Sequence, residues 1–409
     1  MNALTLLGYI SAALLLQLAV GIAITVRNYR RDAVHPTLTL HDNTAATPTS
    51  AWQGLREFRV LSRQFEDIAQ TVCSFYLGPV DALPLANFLS GQFLTVSLHI
   101  QDLKQQTKIL TRCYSLSDNP GLKHYRISIK RTLAPSNLSD VQAGIVSNYF
   151  HDYIREGDII GIRAPAGQFT IDSASNAPIV LIAGGIGITP LLSMLLWCIE
   201  HQPTRAIHFY YGVRNSQEQA FKAQLEQLAR QHENLHLHVV YSNPVEGDTL
   251  SGGHQHFGYV DMHLLRSTLP YGEQHFYVCG PAAMMEMLVP GLIEWGVSRK
   301  NIHFEAFGPA SVHAYQIADD TAENLSVEVK FQKSERTLVW DGSDQNLLDF
   351  AERNHIAAES GCRAGSCGSC ETKLVSGTVS YREKPEYDVA PGHCLLCVGR
   401  PDSALVIEA

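Results

Sequence analysis

The chain is 409 residues long, room for about three domains at ~150 residues each. Its 45% hydrophobic and 17% charged residues are ordinary for a globular protein, and a net charge of −9 argues against nucleic acid as a partner. Nine cysteines, four of them in a ligand-like spacing near the C-terminus, fit a reducing compartment better than a disulfide scaffold.

From Leu4 to Val26 the chain carries no charge. A helix of that length is about 35 Å long at ~1.5 Å per residue, enough to cross a ~30 Å hydrocarbon core. Its flanks are the reverse of a signal peptide's, since no Lys or Arg precedes the run and Arg27, Arg30 and Arg31 follow at once. We therefore expect a transmembrane helix at 4–26 whose basic end, with every later domain, stays in the cytoplasm. The competing reading is a buried helix of a soluble fold. Residues 27–51, polar and rich in Pro and Thr toward their end, read as a tether.

Between 52 and 172 short β-patterned runs alternate with turn signals, for example Glu57 to Leu61, Cys73 to Leu77 and Phe93 to Leu98. This pattern predicts a small antiparallel barrel. Arg112-Cys-Tyr-Ser115 sets a guanidinium, a flat ring and a hydroxyl on one strand, a phosphate clamp, a stacking face and a donor. Gly144-Ile-Val-Ser147 looks like a turn opening a helix, whose free N–H groups suit a pyrophosphate. Together and in this order the two motifs resemble the flavin domain of the ferredoxin–NAD(P)H reductase superfamily, with the reductase half of flavohaemoglobins the nearest likeness. The resemblance implies FAD, with Arg112 on its phosphates, Tyr114 against the isoalloxazine and Ser115 near N5. It also assigns Lys130, Gly144, Val146 and Ser147 to the flavin.

Residues 173–310 read as an α/β domain with a parallel sheet. Pro178 to Ala183 is a buried-type strand that runs into Gly184-Gly185-Ile-Gly187-Ile-Thr189-Pro190 and an apolar helix from about Leu191 to His201. Such glycines let backbone approach a pyrophosphate at a helix N-terminus. The third glycine of the dinucleotide fingerprint is replaced by Pro190, and no acidic residue ends the next strand, Ile207 to Tyr211, so the ribose grip is not the usual one. The reductase superfamily's variant has this form, as it does the Cys279-Gly280-Pro281 and Glu305-Ala-Phe307 segments. By that resemblance Cys279 and Glu305 flank the reacting nicotinamide, Phe307 covers the flavin, and Gly280 and Pro281 line the site. Arg214 can pair with a 2′-phosphate or simply cap its strand, which leaves NADH and NADPH both open. Histidines between 232 and 263 show no metal-ligand spacing and are expected to face solvent.

After a linker at 311–324, residues 325–409 hold Cys362-x4-Cys367-x2-Cys370, answered by Cys397. Four thiolates so spaced suit a [2Fe–2S] cluster, and the small residues between them let backbone N–H groups reach the sulfurs. The pairs Cys367/Cys370 and Cys394/Cys397 offer a rival tetrahedral zinc site. With the helix-like run from Leu347 to Arg353, the loop resembles a plant-type ferredoxin, which implies a β-grasp fold and leaves Cys394 a structural thiol. Between 322 and 409 there are 14 Asp/Glu against 9 Lys/Arg, an acidic balance that can steer a basic partner or serve solubility alone. The combined expectation is an NAD(P)H-dependent reductase passing electrons through FAD and [2Fe–2S] to a redox protein at the membrane, such as an oxygenase or desaturase. A quinone-linked acceptor and a flavin redox sensor are the alternatives.

Overall fold

The computed structural model describes Trp52 and residues 54–409 except 102–106, 135–142, 249–254, 308–325, Ala364, Ser366, 382–384 and Glu386. The expected membrane helix at 4–26, the tether at 27–51 and the linker at 311–324 lie outside the described residues. Among the described residues no helix is long and apolar enough to cross a membrane. All of them belong to one compact unit, Pro48–Ala409.

The first sheet contains β1 (Arg56–Phe65), β2 (Val72–Pro79), β3 (Phe93–Gln101), β4 (Thr107–Ser115), β5 (Tyr125–Lys130) and β6 (Ile159–Ile162), with helix α1 (Ile145–Asp152) before β6. Its order is β4-β3-β6-β1-β2-β5 and every neighbouring pair is antiparallel. The edge strands approach each other just past β4, at the bridge Leu116–Ile127, so the sheet curls into the expected barrel without a continuous seam. Side chains of alternate residues, among them Phe58, Val60, Phe75 and Leu77, fill the interior together with Val146 and Phe150 of α1.

The second sheet is parallel throughout, in the order β10-β9-β8-β7-β11-β12. Its elements are β7 (Ile179–Gly184), α2 (Ile188–His201), β8 (Ile207–Val213), α3 (Lys222–Gln231), β9 (Leu235–Tyr241), β10 (Gln255–Phe257), α4 (Met262–Thr268), β11 (His275–Gly280), α5 (Ala282–Glu294) and β12 (Ile302–Ala306). Every residue of β7 is buried because both faces are covered: Ile179, Leu181 and Ala183 pack with α2, whereas Val180 and Ile182 pack with α5. The chain moves outward from β7 to β10 and then returns to β11 on the other side of β7. A crevice for ligands forms at such a reversal, outside the carboxyl ends of the strands.

The third region holds β13 (Val327–Phe331), β14 (Arg336–Trp340), α6 (Leu347–Arg353), β15 (Glu371–Ser376), β16 (Val379–Tyr381), β17 (His393–Leu395), β18 (Gly399–Pro401) and β19 (Leu405–Ile407). Five strands run in the order β14-β13-β19-β15-β17, while β16 and β18 form a separate ribbon. Helix α6 is capped by Asn346, whose side chain accepts from Asp349 N–H, and it buries Leu347, Leu348 and Phe350 against Val329, Phe331 and Leu405. One helix on a mixed sheet is the expected β-grasp arrangement.

Buried polar contacts join the first two regions. The Phe221 N–H donates to Glu66 O at 3.1 Å, and Ser193 Oγ donates to Asp118 O at 2.7 Å. The buried Arg126 guanidinium pairs with Asp118 at 3.5 Å and lies 5.2 Å from the Phe221 ring centroid.

Candidate functional site

The nicotinamide end is built where β7, β11 and β12 finish. Cys279 of β11 stands in register beside Glu305 of β12. Glu305 Oε2 is buried with no hydrogen-bond partner, and burial pushes the carboxyl up to about 8. Cys279 is fully buried, and its thiol is driven well above the ordinary range, first by burial and then by the Glu305 carboxylate. Gly185 to Gly187 form a single 3₁₀ turn, and the helix starts at Ile188 rather than at Leu191. Thr189 and Pro190 therefore lie inside its first turn, where a missing Pro N–H costs nothing. Thr189 Oγ1 donates to Ile186 O at 3.0 Å. A Cβ on Gly187 would sit 2.1 Å from Cys279 O, so only glycine lets the turn lie against the end of β11. Gly280 ends β11, and Pro281 caps α5.

Arg214 is exposed and ion-pairs Glu218 at 3.4 Å, and Lys130 reaches the same carboxylate at 3.4 Å. The two cations thus meet at Glu218, Lys130 from the end of β5 and Arg214 from just past β8. Phe307 follows β12 and is 41% exposed.

On the flavin side, Tyr114 packs its ring edge-on to Phe150 with centroids 5.5 Å apart, and burial raises its hydroxyl above the usual range. Ser115 Oγ is buried without a partner, an orphan hydroxyl that a bound flavin can satisfy. Arg112 is exposed, its Nη1 donating to Thr111 O at 2.7 Å, which leaves most of its guanidinium donors outward. Gly144 precedes α1 with no side-chain cap, and Ser147 Oγ bridges the Gly144 carbonyl and the Thr132 N–H, each at 3.3 Å. Val146 is buried in the barrel core. An uncapped helix start, an orphan hydroxyl and an outward Arg are groups that fit a flavin with its phosphates at the helix.

In the third region the cysteine sulfurs come together as two neighbouring pairs. Cys362 lies within hydrogen-bonding reach of Cys367, and Cys397 within reach of both Cys370 and Cys362. The Cys362 N–H points to Cys367 Sγ at 3.2 Å and the Cys397 N–H to Cys370 Sγ at 3.5 Å. Among the described residues no three His, Cys, Asp or Glu side chains are grouped as a metal-ion site. Paired thiols with N–H groups aimed at sulfur fit a binuclear cluster. Cys394 lies opposite Thr372 in the β15–β17 ladder and is buried in the same core cluster as Cys370 and Cys397. Gly368 has φ +71° and lies under the Tyr387 ring, 2.2 Å from where its Cβ would be.

The cluster loop meets the flavin strand directly. Cys113, between Arg112 and Tyr114, lies near Cys367, and Arg163 lies near Tyr387. Reading the sequence misses both contacts, although strand alternation carries part of the signal: with Tyr114 turned toward Phe150, Cys113 must face the other way. The histidines also differ from expectation. His236 and His263 are exposed and His232 is half-buried, but His238 and His256 are half-buried with ring nitrogens 3.2 Å apart, and His236 stacks on buried His208 at 4.7 Å.

Residues 181–289 match an oxidoreductase NAD-binding domain and residues 329–402 a 2Fe-2S iron-sulfur cluster binding domain. A flavohemoprotein of Bacillus cereus is 38% identical over 267 residues, 65% of this chain and 64% of its own length. The chain thus spans less than two thirds of that curated relative. The flavohem-like FAD/NAD binding domain of nitric oxide dioxygenase from Vibrio cholerae is 30% identical with a TM-score of 0.54, covering 62% of this chain and 99% of that one. Phthalate dioxygenase reductase, described as a modular structure for electron transfer from pyridine nucleotides to [2Fe-2S], is 26% identical with a TM-score of 0.51. It covers 87% of this chain and 98% of its own. Fold and site therefore define an oxidoreductase of the NAD(P)H-dependent flavin/iron–sulfur class, with NAD(P)H, FAD and [2Fe–2S] as its redox groups. The chain belongs to the family of flavohaemoglobin-type FAD/NAD-binding reductase modules, joined here to a C-terminal 2Fe-2S domain.

Proposed function

We propose that this reductase delivers electrons from its cluster to a separate redox protein at the membrane, such as an oxygenase or desaturase, while residues 4–26 anchor it with its catalytic domains in the cytoplasm. The observation that carries the reading is the contact between the cluster loop at Cys367 and the strand bearing Arg112, Tyr114 and Ser115. Nicotinamide gives two electrons as hydride and the cluster takes one at a time, and bound FAD supplies the chemistry that converts between them. In this arrangement Arg112 and the start of α1, at Gly144, Val146 and Ser147, hold the flavin phosphates. Tyr114 offers its face to the ring, and Ser115 donates to N5. Gly184, Gly185, Gly187, Thr189 and Pro190 seat the nucleotide pyrophosphate, with Cys279, Gly280, Pro281 and Glu305 around the nicotinamide and Phe307 at the flavin. The likeness to phthalate dioxygenase reductase, whose name couples it to an oxygenase, supports the choice of acceptor class. The test is Cys367→Ser. Reduction of ferricyanide by NAD(P)H should persist, because flavin is enough for it, while reduction of cytochrome c should collapse. Unchanged cytochrome c turnover would show that the flavin delivers electrons directly and overturn the cluster-output reading.

A further inference from the structure

Among the described residues of the loop from Cys362 to Cys370, three have left-handed backbone: Arg363 at φ +57°, Gly365 at +73° and Gly368 at +71°. Glycine adopts that region freely, whereas an arginine there is strained unless its surroundings hold it. Helix α6 holds Arg363. The guanidinium ion-pairs with Asp349 at 3.6 Å and with Glu352, and the Arg363 side chain is 14% exposed. Asp349 is itself fixed at the helix start: its carboxylate accepts from Asn346 Nδ2 at 2.8 Å, and its N–H donates to Asn346 Oδ1 at 2.9 Å. The same helix start reaches the other half of the ligand set, because the Leu348 N–H donates at 2.9 Å to the carbonyl of Leu396, the residue before Cys397. The backbone torsion at residue 363 sets how the chain turns between Cys362 and Cys367, whose sulfur receives the Cys362 N–H at 3.2 Å. The far side of that turn is pinned separately, with the Tyr387 N–H donating to Gly365 O at 3.1 Å.

We infer that Arg363 is a positioning residue for the [2Fe–2S] cluster: its ion pairs with Asp349 and Glu352 strap the loop to α6 and hold the left-handed turn that presents Cys362 and Cys367 to the cluster. Helix α6 is then the frame that registers both ends of the ligand set, Cys362 through Arg363 and Cys397 through Leu396. A side chain at residue 363 without the strap lets the strained turn relax. Relaxation opens half-buried Cys362 to solvent and spoils the N–H geometry at the Cys367 sulfur. The inference rests on the cluster assignment.

The test compares Arg363→Gln, which keeps the strain and loses the strap, with Arg363→Gly, which loses both. Each variant removes the same charge, so a difference between them reports the backbone. Full-length holoprotein is analysed for FAD, iron and acid-labile sulfide, after which iron release to an excess of chelator is timed and the reduced cluster is recorded by electron paramagnetic resonance. The glutamine variant should release iron about tenfold faster than the wild type, with shifted g values. The glycine variant should stay within about threefold and keep the wild-type spectrum. If the glutamine variant carries FAD but no iron, the glycine variant should still carry its cluster. If the glutamine variant does not fold, Glu352→Gln breaks the exposed side of the strap and should also speed iron release. A wild-type release rate in a cluster-bearing Arg363→Gln or Glu352→Gln variant refutes the inference. So does equal behaviour of the glutamine and glycine variants, which would point to charge or packing. Wild-type protein without iron and sulfide would instead refute the cluster assignment itself.

Discussion

Gly187→Ala tests how the nucleotide turn and the nicotinamide end depend on each other. The added Cβ would lie 2.1 Å from Cys279 O and 2.5 Å from Cys279 C, both backbone atoms that no rotamer change can move. An ordinary carbon–oxygen contact is about 3.3 Å, so the 3₁₀ turn and the end of β11 must separate by about 1.2 Å. Overpacking of this kind costs about 1–3 kcal/mol, which a chain with four hydrophobic core clusters should survive. The opening displaces Cys279 from its place beside Glu305. A misplacement of about 1 Å near reacting atoms lowers rates on the order of 10²-fold. Anaerobic stopped-flow, following flavin absorbance after mixing with NADH or NADPH, should therefore show reduction slowed about a hundredfold. FAD content, iron and sulfide should match the wild type, because the barrel and the cluster loop are untouched. A folded, fully loaded variant reduced within a few-fold of the wild-type rate would show that the close approach has no bearing on hydride transfer.

The Glu305 carboxyl, raised to about 8 by burial, gives a pH prediction. Between the usual carboxylate range and pH 8 the folded chain holds a proton that the unfolded chain has released, so stability falls as pH rises through that window. Glu305→Gln should gain in melting temperature over the wild type from pH 5.5 to 8.5, and parallel melting curves would contradict the burial argument. Deleting residues 1–31 tests the proposed anchor: the product should be soluble and retain NAD(P)H–ferricyanide activity, but support a membrane acceptor only at higher protein concentration. Equal support at low concentration would mean a soluble acceptor.

What the sequence determined by itself is local. Three cysteines within nine residues, a strand apolar at every position, and a glycine turn running into a helix are set by geometry inside a few residues, so the [2Fe–2S] loop, β7 and the nucleotide turn are legible along the chain. Strand alternation is equally local, and it separates the faces of Tyr114 and Cys113 without saying what either face meets. Tertiary structure decided the rest. Cys394 pairs opposite Thr372 in the β15–β17 ladder, whereas the Cys397 N–H lies 3.5 Å from Cys370 Sγ, an arrangement no spacing along the chain shows. Glu305 stands beside Cys279 through the pairing of β11 with β12, and Lys130 meets Arg214 at Glu218, in the loop between β8 and α3. His238 and His256 left solvent for each other because β9 and β10 pair in parallel. Such contacts join residues far apart in the chain, so they follow from strand register and domain packing, which no spacing within a single segment encodes.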